Sequence, residues 1–298
     1  MDRKGKELPL AAQPNNYIHP HISPDGTKLA FDIYSDIRKS DIWIWDFVRE
    51  TMTRLTFNGA SSYPLWTPDG KRIAFCTGCL NQPNSGVLWK AADGTGEDEK
   101  LDSVPDRLLA PWSWSNDGKI LVVVELSGVT GYHIGSLSIE GDRKWKPLSQ
   151  GKYTEVQPQI SPDGRWMAYT SNESGRNEVY VCPFPEVNKG RWQVSTSGGG
   201  IPLWSPNGQE LFYRNKDSVM VVAVETTQTF KCGKPGLLFQ GTDTFFQDAH
   251  HWDISSDGKR FLMMKEVVST AKPAAEAPRK INIVVNWLEE LKQRVPVK

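Results

Sequence analysis

The sequence predicts an all-β protein, a six-bladed β-propeller with four strands in each blade. The main evidence is a short turn motif that recurs six times. The first hydroxyl residues of the six copies are Ser23, Thr67, Ser115, Ser161, Ser205 and Ser255. These residues are separated by intervals of 44, 48, 46, 44 and 50 residues. A repeat of this length, rich in short β-branched and aromatic segments, is typical of propeller blades.

The first repeat shows how each blade is expected to form. Its strands are predicted at 18–22, 28–34, 41–46 and 53–57. Between the first two strands, Pro24 presets its own φ, Asp25 can cap the turn, and Gly26 takes a left-handed conformation. The strand cores contain β-branched and aromatic residues, as a half-buried pleated surface requires. Blade one is therefore expected to begin near residue 18.

Four further repeats predict complete blades that begin near residues 62, 110, 156 and 201. Their strands are predicted at 62–66, 72–77, 86–92 and 97–102; at 110–114, 119–126, 132–139 and 143–149; at 156–160, 166–171, 178–184 and 190–196; and at 201–204, 210–215, 219–225 and 235–240. The residue before each turn is Ile or Trp. We expect these large apolar side chains to fill the space between neighbouring blades.

The sixth repeat begins near residue 251 and lacks a fourth strand of its own. Its strands are predicted at 251–254, 260–267 and 281–287, with a mobile loop over 269–280 and a short helix over 288–295. Residues 5–10 precede the first blade. We expect them to form the outer strand of blade six, because this would close the ring and remove exposed sheet edges. Residues 1–298 would then form a single domain.

Composition and charge restrict the classes of partner. The formal net charge is zero, so no basic field is available to bind nucleic acid. No apolar run approaches the 18 or so residues of a membrane helix, so no membrane insertion is expected. The first residues, Met1–Gly5, lack the apolar core of a signal peptide. We expect a monomer.

The four cysteines do not indicate a disulfide scaffold. Cys76 and Cys79 have the CxxC spacing of redox and zinc sites. No second CxxC pair accompanies them, and no helix start is predicted there that would lower a thiol pKa. We interpret them as incidental strand and loop thiols; the alternatives are a disulfide or half of a metal site.

The repeats resemble the Pro-Asp-Gly type of WD-like repeat in TolB-like proteins. Four stretches are similar to the C-terminal propellers of acidobacterial TolB-like proteins and receptor-type serine/threonine kinases; they are Asp41–Asp46, Ser171–Arg176, Arg191–Thr196 and Val285–Lys292. This resemblance implies a ligand- or protein-binding propeller and an extracytoplasmic or periplasmic location. No kinase motif is present, so it implies no kinase activity. Cys182 stands where relatives often carry Arg.

Histidines indicate a candidate site where the ring is expected to close. The residues four before the turn hydroxyls are His19, Tyr63, Pro111, Gln157, Ile201 and His251, and those two before are His21, Leu65, Ser113, Gln159, Leu203 and Asp253. In a regular strand, positions two apart point to one face. We therefore expect His19, His21, His251 and Asp253 to meet in the central channel, as tentative ligands of a zinc, manganese or iron ion. Structural histidines or metal-free acid/base chemistry are the alternatives.

Further channel candidates combine aromatic and polar side chains; they are Tyr17, Tyr63, Trp112, Glu155, Gln157 and Trp252. Aromatic rings with a few polar groups suit a sugar-like or peptide ligand. The alternative is ordinary packing between blades.

Two functions are therefore predicted, and whether the protein is an enzyme stays open. The first is a protein- or ligand-binding module without certain cofactor, because the sequence contains neither a GxSxG nor an HExxH motif. The second is a metal-dependent lyase or hydrolase acting on a sugar-like substrate in the channel. It is supported by a resemblance to oligogalacturonate lyases, which use His and Gln ligands in a propeller of this repeat type.

Overall fold

The computed structural model describes residues 1–36, 39–79, 85–102, 107–127, 131–141, 143–149, 152–241, 250–266 and 279–282. Within these residues the chain forms six antiparallel sheets, each made of strands that are consecutive along the chain. The fold is an all-β propeller, as the repeat predicts.

The first three sheets each have four strands. Blade one contains β1 (Tyr17–Ile22), β2 (Lys28–Asp36), β3 (Lys39–Asp46) and β4 (Thr51–Arg54); blade two contains β5 (Ser61–Trp66), β6 (Arg72–Thr77), β7 (Gly86–Ala91) and β8 (Glu99–Asp102). Blade three contains β9 (Arg107–Trp114), β10 (Ile120–Ser127), β11 (Gly131–Ser138) and β12 (Trp145–Pro147).

The other three sheets have four, five and three strands, respectively. Blade four contains β13 (Glu155–Ile160), β14 (Trp166–Ser171), β15 (Glu178–Pro183) and β16 (Trp192–Gln193), with a short 3-10 helix at Val187–Lys189. Blade five contains β17 (Gly200–Trp204), β18 (Glu210–Asn215), β19 (Ser218–Glu225) and β20 (Lys231–Cys232), and β21 (Gly236–Gln240) also pairs with β19. The last sheet contains β22 (Trp252–Ile254), β23 (Phe261–Glu266) and β24 (Arg279–Asn282).

The prediction of six four-stranded blades is wrong. Five sheets reach the four strands of a blade, whereas the last sheet has three strands among the described residues. The predicted helix at 288–295 and residues 269–278 of the predicted loop lie outside the described part of the chain, as do residues 283–287 of the last predicted strand.

Residues 5–10 form no strand, so the predicted way of closing the ring is also wrong. The Asp2 side chain accepts hydrogen bonds from the backbone N–H groups of Lys4 and Lys6, which turns the chain back on itself. Met1 instead exchanges two backbone hydrogen bonds with Phe261, at 2.7 and 2.8 Å. This contact lies at the start of β23, because β24 pairs only with its later residues, 263–266. The backbone of the N-terminal segment therefore pairs with the last sheet at residues 1 and 2.

Tryptophans before the turns join neighbouring blades. Trp66 is 2% exposed and packs in one cluster with blade-one residues that include Ala30 and Ile42. Its indole N–H donates to the carbonyl of His21 on the preceding inner strand, at 3.0 Å. Trp204 makes the same bond to the carbonyl of Gln159, at 3.0 Å. Both residues therefore fill the inter-blade space and also hold the inner strands of adjacent blades together.

The turn glycines form a closed circle, which we call the turn ring; they are Gly26, Gly70, Gly118, Gly164, Gly208 and Gly258. A Cβ placed on each glycine would lie within 4 Å of the turn of the preceding repeat. The circle closes because a Cβ on Gly26 of the first turn would lie 3.0 Å from the hydroxyl of Ser256 in the sixth. The first and last repeats are therefore neighbours in space.

Cys76 and Cys79 form a disulfide, so their interpretation as incidental thiols is wrong. Cys182 is a buried free thiol and Cys232 an exposed one.

Candidate functional site

In blades one to five, the pairing of the inner strand with the second strand contains an irregularity. In four of them a non-glycine residue at this point has a positive φ; these residues are His19 (52°), Tyr63 (58°), Gln157 (60°) and Ile201 (51°). Such a backbone costs on the order of 1–3 kcal/mol and is common near functional sites. A bulge also interrupts the alternation of side chains along a strand. Residues two apart, such as His19 and His21, therefore need not share a face.

His19 belongs to a buried network between blades one and two. Its Nδ1 lies 2.9 Å from Asp32 Oδ1, so the carboxylate places a proton on that nitrogen. Asp32 Oδ2 accepts a second hydrogen bond from the Ser62 hydroxyl at 2.7 Å. The His19 ring stacks on Tyr63 with 3.8 Å between ring centroids. These contacts orient the imidazole, and its Nε2 atom is buried without a hydrogen-bond partner.

His250 reaches inner strands of other blades. Its Nε2 lies 3.0 Å from the amide nitrogen of Gln159 on blade four, where the amide N–H can donate to an unprotonated ring nitrogen. Its ring centroid lies 6.1 Å from that of His21 and 5.3 Å from that of Trp112. His250 therefore brings together side chains from blades one, three and four.

The imidazoles of His21 and His250 are uncharged at neutral pH. Burial lowers the pKa of each to about 4, because a buried site disfavours the charged form. The Asp253 carboxylate opposes this effect, whereas the proximity of the His21 and His19 rings disfavours a further positive charge and lowers the pKa of His250. His21 Nδ1 accepts a hydrogen bond from the backbone N–H of Trp66 at 3.4 Å. The Nδ1 atom of His21 is thus an acceptor, which leaves the proton on the opposite nitrogen.

Asp253 links the last sheet to blade one. Its Oδ2 accepts a hydrogen bond from the backbone N–H of Ile22 at 2.7 Å, and its Oδ1 accepts one from its neighbour Ile254 at 2.8 Å. Burial raises its pKa to about 6, although the charge of His250 and the two backbone donors oppose this shift. Asp253 therefore holds the seam between the first and last sheets.

The rings form a continuous series, which we call the channel cluster; it comprises His19, Tyr63, Trp112, His250, His21 and the adjoining Gln159 and Asp253. Tyr63 connects the two halves, because its ring lies 3.8 Å from His19 and 6.2 Å from Trp112. The Trp112 indole N–H is buried and has no hydrogen-bond partner. His21, Tyr63, Gln159 and Asp253 are each partly exposed. The cluster thus has an accessible edge, and its buried interior contains polar atoms without hydrogen-bond partners, namely His19 Nε2 and Trp112 Nε1.

The remaining predicted channel residues lie elsewhere. Tyr17 is 1% exposed and its hydroxyl donates to the carbonyl of Gln13, so it belongs to the core of blade one. Trp252 is also 1% exposed and stacks on Phe261. Gln157 accepts hydrogen bonds from Thr170 and from the backbone of Ile201, which joins blades four and five.

The predicted metal ligands are not arranged around a common point in the described residues. His19 faces Asp32, both oxygens of Asp253 accept backbone hydrogen bonds, and His251 is buried at 3% exposure. No group of three or more His, Cys, Asp or Glu side chains in the described part of the chain could hold a metal ion. That these four residues hold a metal ion stays a prediction.

Gln159 and His250 are absent from the predicted metal ligands and from the predicted channel residues. Gln159 and His21 each lie two residues before a turn hydroxyl, so the spacing of the motif predicts equivalent places for them. His250 precedes β22 and lies outside the strand register that the motif defines. No local signal in the sequence marks it as the residue that enters the cluster.

The fold and this cluster define the chain as a β-propeller with a polar and aromatic centre, and comparisons with known proteins specify the type. No protein-family model matches it. The chain is 26% identical over 210 residues to the uncharacterized peptidase YuxL of Bacillus subtilis; the match covers 54% of this chain and 31% of that protein.

Solved structures with this fold include TolB proteins and a lyase. A TolB protein of Agrobacterium tumefaciens has a TM-score of 0.64 and 18% identity, with 91% of this chain and 92% of that chain covered. TolB of Acinetobacter baumannii has a TM-score of 0.63 and 18% identity, with 85% and 58% covered. An oligogalacturonate lyase in complex with manganese has a TM-score of 0.61 and 12% identity, with 91% and 90% covered. The chain therefore has a TolB-like β-propeller fold.

No helix in the described residues has the length and apolar character that crossing a membrane requires.

Proposed function

We propose that this protein is a binding module of the TolB-like type, which holds a protein or small-molecule ligand at the channel cluster. The main support is the pair of buried atoms without partners, His19 Nε2 and Trp112 Nε1. Buried polar atoms nearly always have a hydrogen-bond partner, and an exception calls for a ligand or water. Both atoms belong to side chains that are more than nine-tenths buried.

The chemistry of the cluster favours an uncharged, polar ligand. His21 and His250 are neutral at pH 7 because burial lowers their pKa values to about 4. Neutral imidazoles, an indole N–H and an amide provide both donors and acceptors, while the ring faces provide apolar contact. These groups suit a peptide backbone or sugar hydroxyls better than a phosphate. The likeness of fold to TolB supports a protein ligand, and the sequence resemblance supports an extracytoplasmic setting.

Ligand selection tests this proposal. We would select binders from a displayed library of short peptides and from a set of neutral oligosaccharides. We expect a recovered ligand to lose at least tenfold in affinity with Trp112→Phe, which keeps an aromatic ring and removes the indole N–H donor, and with His21→Ala. Val48→Ala is the control, because Val48 is 82% exposed and lies outside the cluster. Recovery of no ligand, or of ligands whose affinity these changes leave intact, would refute the proposal.

A metal-dependent lyase or hydrolase is the second candidate, and the likeness of fold to the manganese-bound oligogalacturonate lyase supports it. It predicts about one equivalent of bound transition metal in protein purified without a His tag. It also predicts cleavage of oligogalacturonate on addition of Mn²⁺. Less than about a tenth of an equivalent of metal, with no cleavage after Mn²⁺ is added, would exclude it.

A further inference from the structure

A second pocket lies between blades three and four, and none of the channel-cluster residues lines it. Its volume is about 320 Å³, which is at the lower end of the range for small-molecule sites. Ile134, Met167 and Val187 provide apolar wall, and Glu155, Tyr169 and Arg191 provide polar groups. We call it the Glu155 pocket. It is large enough for a small organic molecule.

The Glu155 carboxylate is the unusual group in this pocket. The residue is 5% exposed, and its Oε2 atom is buried with no hydrogen-bond partner. The hydroxyl of Ser149, which also lines the pocket, is likewise buried without a partner. A buried carboxylate oxygen that lacks a donor is costly, since its desolvation is not offset. Two such atoms belong to residues that line this pocket, which favours a ligand with hydrogen-bond donors.

Two other titratable groups of the pocket, Cys182 and Tyr169, carry no charge at neutral pH. Burial raises the pKa of the Cys182 thiol to about 12, and Glu155 adds to this effect. Burial also raises the pKa of the Tyr169 phenol well above its ordinary value. Both groups are therefore neutral at pH 7. Arg191 pairs with Glu173, with 2.5 Å between Nη1 and Oε2, and its charge also interacts with Glu155, so one guanidinium serves two carboxylates.

We propose that the Glu155 pocket binds a small primary amine in its ammonium form. The ammonium group donates to Glu155 Oε2, and a second N–H donates to the Ser149 hydroxyl. A short alkyl chain then packs against Ile134 and Met167. This site is separate from the one in the proposed function, so either can fail without the other.

The test uses n-butylammonium as the probe, with n-butanol and butyrate as neutral and anionic analogues of the same length. Binding to the full chain is measured at pH 7 by NMR titration. We expect n-butylammonium to bind at least tenfold more tightly than either analogue. This comparison needs no variant, so a folding defect cannot obscure it.

Variants then locate the site. Glu155→Gln preserves the shape and removes the charge, and we expect at least a tenfold loss of n-butylammonium binding. Val187→Trp should block the cavity while leaving the charge in place, and should also abolish binding. Glu225→Gln is the control, because Glu225 is exposed on blade five and should have no effect. Equal binding of n-butanol, no binding of the amine, or full binding by Glu155→Gln would each overturn the proposal.

Discussion

His19 illustrates how single residues define the site. Its positive φ and its bond to Asp32 fix the imidazole against the Tyr63 ring. Without these contacts His19 would not keep this conformation, because a left-handed backbone is unfavourable for a residue with a Cβ. The network around Asp32 must therefore help to stabilise the strained inner strand.

Replacing Asp32 with Ala should destabilise the fold. The change leaves His19 Nδ1 buried without its acceptor, and an unsatisfied buried donor costs about 1–3 kcal/mol. Urea denaturation would measure the free energy of unfolding. Glu140→Ala serves as the control, because that side chain is 70% exposed and its pairing with Lys119 contributes little. A loss below about 1 kcal/mol for the Asp32 variant would show that the network does not stabilise the strand.

The two neutral imidazoles predict an acid-sensitive fold. The pKa of His21 and of His250 is about 4 in the folded protein, against 6.5 for an ordinary imidazole. The unfolded chain therefore binds more protons between these values, and stability falls as the pH falls from about 6.5 to 4. Asp253 acts in the opposite sense. Its raised pKa of about 6 means that the folded state takes up its proton first, so its contribution is present at low pH and is lost as the pH rises through 6.

Two variants should change this pH dependence in opposite directions. His250→Phe removes one group that resists protonation in the fold, so stability should fall less between pH 6.5 and 4. Asp253→Asn removes the opposing group and keeps an acceptor for Ile22, so stability should fall more steeply. Urea denaturation at several pH values measures both slopes. Identical slopes in the two variants and the parent would contradict the assignment.

At the scale of elements, the N-terminal segment differs most from expectation. It contributes no strand, yet Leu10 and Ala12 pack in the core of blade one with residues such as Tyr17 and Phe31. The same cluster includes Leu262 and Met264 of β23. The segment therefore joins the first and last sheets through these side chains as well as through the backbone bonds of Met1 to Phe261, and it does so without the paired strand that was expected.

Leu10→Ala should weaken this junction. Leu10 is 9% exposed, and truncating a buried Leu commonly costs about 2–5 kcal/mol. Leu8→Ala is a matched control two residues away, since Leu8 is 39% exposed and should change stability by less than about 0.5 kcal/mol. Thermal denaturation compares the two. Equal melting temperatures would show that the segment does not anchor the sheets.

Elements and site differ in how far the sequence reveals them. The turn motif locates the inner strands, because Pro, Asp and Gly at fixed positions demand a particular backbone. The sequence does not reveal the bulges, because no glycine marks the positions that have a left-handed backbone. These positions are His19, Tyr63, Gln157 and Ile201. The expected meeting of His19, His21, His251 and Asp253 depended on regular alternation, which the bulges interrupt. Long-range contacts such as that between Gln159 and His250 depend on how the sheets are arranged around the centre.

At the scale of the molecule, the turn ring is the feature that the sequence reveals best. Each turn glycine packs on the preceding turn, and the Gly26–Ser256 contact completes the circle. The strand count was less predictable, because the last sheet depends on residues that are distant in sequence. The circle of turns therefore persists although the sheets themselves are unequal.

Gly258→Ala tests the contribution of the ring. The substitution forces a Cβ onto a residue with φ of 68° and places it 3.1 Å from the Pro206 ring. Gly94→Ala is the control, because it has a similar φ of 82° with no atom within 4 Å. Both should lose about 1–2 kcal/mol from the backbone alone, and we expect Gly258→Ala to lose about 1 kcal/mol more from the clash. Equal losses in chemical denaturation would show that the turns do not press on one another.

The turn ring also bears on how such a chain can change during evolution. Successive turn hydroxyls are 44 to 50 residues apart, yet the contacts between turns recur around the whole circle. Differences in repeat length are therefore absorbed away from the turns, in the outer strands and their connections. Those connections can become longer or shorter, or gain insertions, while the turn ring keeps its dimensions. The exposed connection at Asp93–Gly96 between β7 and β8 is accordingly a suitable place to graft a foreign loop.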